Sequence, residues 1–86
     1  MIIGPVPSAI PEWTLGDRLR KAREHARLTQ AELAADMEVH RTSVISYEGG
    51  RTVPSRPVLL SWSMATGVLL AWLLGDARQL AEAAAS

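Results

Sequence analysis

The residues with the most distinctive chemistry lie in the short run Arg41-Thr42-Ser43-Val44-Ile45-Ser46. A guanidinium at the start of a helix can donate in a fork to O6 and N7 of guanine, a contact that contributes about 1 to 3 kcal/mol of discrimination. The hydroxyls of Thr42 and Ser46 can bond base edges, and the methyl groups of Ile45 can contact the thymine methyl. This run therefore offers side chains that suit insertion of a helix into a major groove about 12 Å wide.

Side chains for catalysis or metal binding are sparse. No base with an orienting partner can be identified for Ser43 or Ser46, so nucleophilic catalysis has no support. His25 and His40 stand 15 positions apart, and the chain has no cysteine. A metal site or a disulfide is therefore not expected. We expect a protein that is not an enzyme and that needs no metal or cofactor.

The composition is that of one small globular domain. Of the 86 residues 48% are apolar, and nine Lys and Arg balance nine Asp and Glu to a formal net charge of zero. A chain of this length has no room for a second core. Indiscriminate coating of nucleic acid is a property of strongly basic domains, so any DNA contact must depend on local charge. Residues 17 to 27 form a basic region, with five basic and two acidic side chains.

The first two helices are predicted from their capping residues. Thr14 with Asp17 and Thr29 with Glu32 have the spacing of capping boxes, in which a hydroxyl and a carboxylate satisfy free backbone N–H groups. An amphipathic apolar stripe follows the first pair, and a short apolar face follows the second. Helices are therefore expected over residues 15 to about 26 and over about 30 to 37.

Glycines mark the ends of three further helices. A third helix is expected to start near Arg41 and to stop at Gly49-Gly50. A fourth follows Ser55, with Pro57 in its first turn, and ends at Gly67. A fifth apolar segment ends at Gly75.

Both ends of the chain differ from this helical domain, which is expected over residues 13–75. Pro5, Pro7 and Pro11 remove backbone donors, so residues 1–12 are predicted to form an extended apolar arm. Residues 76–86 are rich in good helix formers but contain only Leu80 as a large apolar anchor. A short helical or frayed tail is predicted there.

Three runs of residues match a known pattern: Leu28-Thr29-Gln30-Ala31-Glu32-Leu33-Ala34, then Val39 to Glu48, then Gly50-Arg51 with Pro54-Ser55. They resemble the Cro/CI-type (XRE-like) helix-turn-helix family of phage repressors. The resemblance implies an all-α, lambda-repressor-like five-helix domain whose third helix reads the major groove of a double-stranded DNA operator. It also implies a transcriptional regulator, most like a phage Cro-like protein or immunity repressor, in the cytoplasm of a bacterial host.

The resemblance also assigns contacts on either side of the third helix. Gln30 matches the family position that anchors the start of the second helix to a phosphate, where free backbone N–H groups also point. His40 stands where the family prefers Ser and is expected to contact phosphate, and Ser43, Arg51 and Thr52 would touch the DNA backbone on either flank. The expected DNA-contacting residues are Gln30, His40, Arg41, Thr42, Ser43, Ile45, Ser46, Arg51 and Thr52.

The sequence also supports predictions for several individual charged residues. The family favours Gly at the interhelical turn, so Glu38 is expected to adopt a left-handed conformation at a cost of about 1 kcal/mol. Glu38 and Glu48 would also weaken nonspecific binding by repelling phosphates. The basic residues of the first helix are expected to form mainly a solvated face. They are Arg18, Arg20, Lys21 and Arg23.

The last two predicted helices contain more large apolar residues than are needed to cover their core-facing sides. Exposed apolar patches commonly mark interfaces, and members of the family often pair through the last helix. Two-fold dimers read half-sites about 34 Å apart, so we expect a homodimer or a monomer that pairs on DNA. The interface is expected to include Trp62, Leu69, Leu70, Trp72 and Leu73.

Other interpretations also fit parts of the sequence. An antitoxin that represses its own operon would use the tail to bind a toxin, and a helical interaction module would hold a protein partner without touching DNA. Residues 57–75 contain no charge and approach the ~20 residues of a bilayer span. The polar residues and Gly67 at their centre favour two short helices instead. The N-terminal arm lacks the basic region of a signal peptide.

Overall fold

The computed structural model describes residue 9 and residues 11–75, and this part of the chain forms five α-helices and no strand. The helices are α1 (Leu15–His25), α2 (Gln30–Met37), α3 (Arg41–Glu48), α4 (Arg56–Thr66) and α5 (Leu70–Leu74). The prediction of an all-α fold with five helices is confirmed. The predicted tail over residues 76–86 lies outside the described residues, as do residues 1–8 and 10 of the predicted arm.

Capping boxes start α1 and α2 as predicted. The Thr14 hydroxyl accepts from the Asp17 amide at 3.1 Å, and the Asp17 carboxylate accepts from the Thr14 amide at 3.0 Å. Thr29 and Glu32 repeat this exchange at 3.1 and 2.9 Å. Ser55 is the N-cap of α4, but its side chain makes no capping hydrogen bond. Pro57 in the first turn of α4 has the fixed φ that suits a helix start.

The two capping carboxylates are expected to make stability depend on acid pH. The hydrogen bond from the Thr14 amide lowers the pKa of Asp17, and that from the Thr29 amide lowers the pKa of Glu32. Their stabilisation is complete above the ordinary values of 3.8 and 4.5, and it is lost as the pH falls through the lower folded-state values. Thermal melts should show a smaller loss of Tm below pH 4.5 in the Asp17→Asn/Glu32→Gln variant than in the wild type. Equal losses in both proteins would contradict this assignment.

All five helices contribute to one hydrophobic core. Each supplies one fully buried large side chain: Leu19, Leu33, Val44, Trp62 and Leu73. The indole N–H of Trp62 donates to the carbonyl of Leu19 at 3.0 Å, which satisfies the one polar atom of this side chain. The Trp62 ring also meets the Tyr47 ring edge-on, with centroids 6.3 Å apart. Trp62 therefore joins α4 to both α1 and α3.

The prediction that Trp62 and Leu73 belong to a dimer interface is wrong for this fold. Both side chains are completely buried within the single chain, so they have no surface to offer a second copy. Part of the apolar excess of α4 and α5 is the core of the domain itself. Within residues 11–75 no helix combines the length and apolar character needed to cross a bilayer.

The turn between α2 and α3 takes the conformation expected from its sequence. Glu38 has φ 56° and ψ 42°, the left-handed region that favours glycine. The amide of Val39 then donates to the carbonyl of Ala34 at 3.0 Å, a bond that closes the end of α2. Glu38 therefore maintains the interhelical turn at a conformational cost.

Replacing Glu38 by Gly is expected to raise the free energy of unfolding by about 0.5 to 1 kcal/mol, because glycine adopts this conformation without a Cβ penalty. This gain in stability is smaller than the conformational penalty that glycine removes, because glycine also increases the conformational freedom of the unfolded chain. Urea denaturation measures the change. The control Ala35→Gly, at an exposed helical position, should lower stability by a similar amount. A less stable Glu38→Gly variant would contradict the argument.

Candidate nucleic-acid interface

The outer face of α3 presents the side chains predicted to read bases. Val44 is completely buried on the inner face of the helix, and Tyr47 packs against the core beside it. Arg41, Thr42 and Ile45 lie on the other side and are exposed. Ser46 continues this face one turn later and is half-buried. Three of the predicted residues are therefore exposed on α3, and the two serines, Ser43 and Ser46, are half-buried beside them.

The start of α3 combines a cation with free backbone donors. Arg41 is the first residue of the helix, and His40 is its N-cap with no capping hydrogen bond from its side chain. The amides of Ser43 and Val44 both donate to the His40 carbonyl. The amides of Arg41 and Thr42 precede the first intrahelical bonds, as at any helix start. An anion near this end would meet the positive pole of the helix dipole.

The loop after α3 returns alongside the last turn of the helix. The hydroxyls of Ser46 and Thr52 lie 2.8 Å apart and share a hydrogen bond. The amide of Arg51 donates to the Ser46 carbonyl at 3.0 Å, and Gly50 permits the turn with φ +76°. The fold thus places Arg51 and Thr52, which are both exposed, at the edge of the α3 surface.

An ion pair beneath this surface joins α1 to α3. The Nε and Nη2 atoms of Arg23 donate to the two carboxylate oxygens of Glu48 at 2.7 and 3.1 Å. Arg23 also donates to the carbonyl of Leu28 at 2.9 Å. The side chains of Arg23 and Glu48 are only 14% and 5% exposed. The hydrogen bond with Glu48 raises the pKa of Arg23. This pair fixes the end of α3 against α1.

Two expectations about charge are corrected by this pair. Glu48 does not face DNA as a free repelling carboxylate, because the Arg23 guanidinium neutralises it below the surface. Arg23 does not belong to a solvated face. Arg20 does: its guanidinium is exposed and only 3.8 Å from Asp17. The sequence indicates only that each side chain points inward, since Arg23 and Glu48 each lie four positions after a buried apolar residue of the same helix, and it does not pair them.

Gln30 connects the ion pair to the start of α2. Its Nε2 atom donates to Glu48 at 3.2 Å. A primary amide has two N–H donors, so one remains for another acceptor. The backbone amides of Gln30 and Ala31 open α2, ahead of the first intrahelical bonds. Glu48 therefore holds the side chain of Gln30, the residue predicted to anchor a phosphate, while the second N–H of its amide remains available.

A close backbone approach between α1 and α3 depends on Gly16, which the sequence did not single out. Gly16 is buried, and a Cβ built on it would overlap the backbone oxygen of Glu48. Any side chain at this position would push the end of α3 away from α1. Gly16 and the Arg23–Glu48 pair together set the distance between these helices.

The residues predicted for pairing divide between core and surface. Leu69 is 55% exposed, whereas Leu70 and Trp72 are half-buried. Trp13 meets Trp72 edge-on with ring centroids 6.1 Å apart. Helix α5 packs on α1 and α4, whereas α3 packs on α1 and α2. The apolar surface at α5 is therefore separate from the polar surface at α3.

Comparisons with known proteins agree with this arrangement. A family model described as a helix-turn-helix domain matches residues 14–73. The chain is similar to Multiprotein-bridging factor 1 of Debaryomyces hansenii, with 32% identity over 65 residues that cover 76% of this chain and 43% of that protein. Multiprotein-bridging factor 1 of Candida albicans is 33% identical over 57 residues, 66% of this chain and 38% of that protein. The chain spans less than half the length of both relatives.

Proposed function

Because the chain belongs to the helix-turn-helix domain family, we propose that it is a sequence-specific transcriptional regulator that binds double-stranded DNA through α3. The observation that carries the proposal is the outer face of α3, where Arg41, Thr42 and Ile45 are exposed while Val44 is buried. A free guanidinium with neighbouring hydroxyl and methyl groups matches the donors, acceptors and methyls of base edges. Among residues 11–75 the ion pairs engage only Arg20 and Arg23, so Arg41 is not neutralised.

Contacts on both sides of α3 would hold the helix in the groove. Gln30 at the start of α2 and His40 at the start of α3 have donors for phosphate oxygens, and Arg51 adds a cation beside the end of α3. Such phosphate contacts would fix the position and orientation of α3 on the duplex, whereas contacts with base edges would determine which DNA sequence is bound. Since the net charge of the chain is zero, we expect weak binding to random DNA. Because the phosphate contacts release counterions, we expect the affinity to fall steeply with salt.

The finer proposal is a small phage-type repressor that acts as a homodimer in the cytoplasm. The resemblance to Cro/CI-type repressors supports the role. Exposed Leu69, with half-buried Leu70 and Trp72 beside it, supports pairing at α5. A two-fold dimer would place two α3 helices in successive major grooves, about 34 Å apart.

A second candidate function rests on the relatives and on the same apolar residues. Both curated relatives carry the name multiprotein-bridging factor. Trp13, Leu69 and Leu74 are exposed by 49%, 55% and 43%. A helical module that holds a protein partner through these residues is therefore an alternative use of the domain. An antitoxin-type autorepressor would combine this role with DNA binding.

Selection from a pool of random DNA duplexes tests the leading proposal. The purified chain is mixed with the pool at two salt concentrations, and the bound fraction is sequenced. We expect a palindromic motif with half-sites about 10 base pairs apart, and weaker recovery at the higher salt. Recovery of no enriched sequence at either salt concentration would contradict the proposal and favour the protein-binding module.

A further inference from the structure

A shallow apolar cleft lies between α1 and the turn that joins α4 to α5. It has a volume of about 360 Å³, and Ala22, Val68, Leu69 and Trp72 supply its apolar lining. Lys21 and His25 line it on the α1 side, and both are exposed. Leu69 leaves more than half of its surface in solvent. An apolar concavity open to water is a site that another apolar segment can cover.

We propose that the N-terminal arm of the same chain, residues 2–10, runs back along α1 and covers this cleft. The arm has the required chemistry, because residues 1–11 contain no charged side chain. Its large aliphatic residues are Ile2, Ile3, Val6 and Ile10. This inference is independent of the proposed DNA binding, since the cleft lies at α5 and away from the outer face of α3.

The chain enters the domain beside one wall of the cleft. The ring of Trp13 meets the ring of Trp72 edge-on at 6.1 Å, and Trp72 is one of the lining residues. The Nη1 atom of Arg18 donates to the Trp13 carbonyl at 2.6 Å. These two contacts fix the point from which the arm departs. The arm therefore begins at the surface that it is proposed to cover.

The arm is long enough to reach across the cleft. Ala22 and His25 lie roughly 12 to 16 Å along α1 from Thr14, at about 1.5 Å per helical residue. An extended chain covers about 3.3 Å per residue, so about five residues preceding Trp13 span this distance. At this spacing Ile10, three residues before Trp13, would reach about 10 Å and enter the cleft beside Trp72, whereas Val6, seven residues before Trp13, would extend past His25.

Covalent connection favours the arm of the same chain over a second molecule. A tethered segment binds at an effective concentration in the millimolar range, and it does not lose the translational freedom that association costs. Pro5 and Pro7 fix φ at two positions of the arm and disfavour the helical conformation for the residue before each, so less conformational freedom is lost when the arm is ordered. Leu69 and Trp72 also belong to the proposed pairing surface. The docked arm would therefore compete with a second copy for these two residues.

Isoleucine methyl NMR on the full chain tests the proposal. The chain has four isoleucines, three in the arm and Ile45 on α3, so Ile45 serves as an internal control. We expect nuclear Overhauser contacts between the Ile10 methyl and the Trp72 indole that persist on dilution. Leu69→Asp should abolish them and return the arm methyls to random-coil shifts, and Leu69→Ser should weaken them. Met64→Asp, at a position of α4 that is 84% exposed, should leave them unchanged.

Two outcomes would overturn the proposal. Arm methyls at random-coil shifts in the wild type, with no response to Leu69→Asp, would show that the arm does not occupy the cleft. Contacts that disappear on dilution would assign the cleft to a second copy of the chain. An unchanged Ile45 methyl shift in each variant verifies that the domain remains folded. None of these results depends on whether the chain binds DNA.

Discussion

Replacing Arg23 by Leu is expected to lower the free energy of unfolding by about 3 kcal/mol, because it leaves the carboxylate of Glu48 buried without its partner. Glu48 is only 5% exposed and receives two of its hydrogen bonds from Arg23. The amide of Gln30 would remain as a donor, but a neutral group does not compensate the charge. The free energy of unfolding of a small domain is only about 5 to 15 kcal/mol, so the loss is a large fraction of its stability.

Urea denaturation followed by circular dichroism measures this effect. Arg20→Leu is the matched control, since its ion pair with Asp17 is exposed and is expected to contribute less than about 1 kcal/mol. The double variant Arg23→Leu/Glu48→Leu should recover most of the loss, because it removes both buried charges together. Equal stabilities of Arg23→Leu and Arg20→Leu would show that the pair does not hold α1 against α3.

Replacing Arg41 by Ala is expected to weaken binding to the selected duplex by about 1 to 3 kcal/mol per half-site, the value of one bidentate contact with guanine. The variant should also accept other bases at one position of each half-site, because the fork that distinguishes guanine is gone. Its stability should stay close to that of the wild type, since Arg41 is exposed and outside the ion pairs described for residues 11–75. Affinity and base preference are measured by titration of duplexes that differ at single positions.

Two further variants separate base reading from general attraction. Lys21→Ala removes the same charge from the α5 side of α1 and should retain both affinity and base preference. Arg51→Ala should weaken binding to all sequences alike and reduce the salt dependence by about one phosphate contact per half-site. A uniform loss for Arg41→Ala, with no relaxed base position, would make Arg41 a phosphate contact and remove the basis for base reading by this side chain.

Local features of the fold followed from the sequence because they depend on neighbouring residues. The capping boxes at Thr14 and Thr29 formed as their spacing predicted. The left-handed conformation of Glu38 followed from the position of the turn between two short helices. The exposed face of α3 followed from helical periodicity around Val44.

Features that depend on distant residues were not predictable in the same way. Arg23 and Glu48 are 25 positions apart, so their contact exists only after α1 packs on α3. Residue type alone also did not separate Trp62 and Leu73, which form the core, from Leu69, which is exposed. Apolar residues occur both inside and on the surface of small domains, and only the packing of α4 and α5 assigns them.

Binding of DNA by the outer face of α3 can be tested by mapping amide chemical shifts as the selected duplex is added. The largest changes are expected at Gln30, at residues 40–46 and at residues 51–52. The amides of Leu60 and Met64 on the exposed side of α4 should remain unchanged. Changes confined to α4 or α5, or no change at saturating duplex, would contradict the claim.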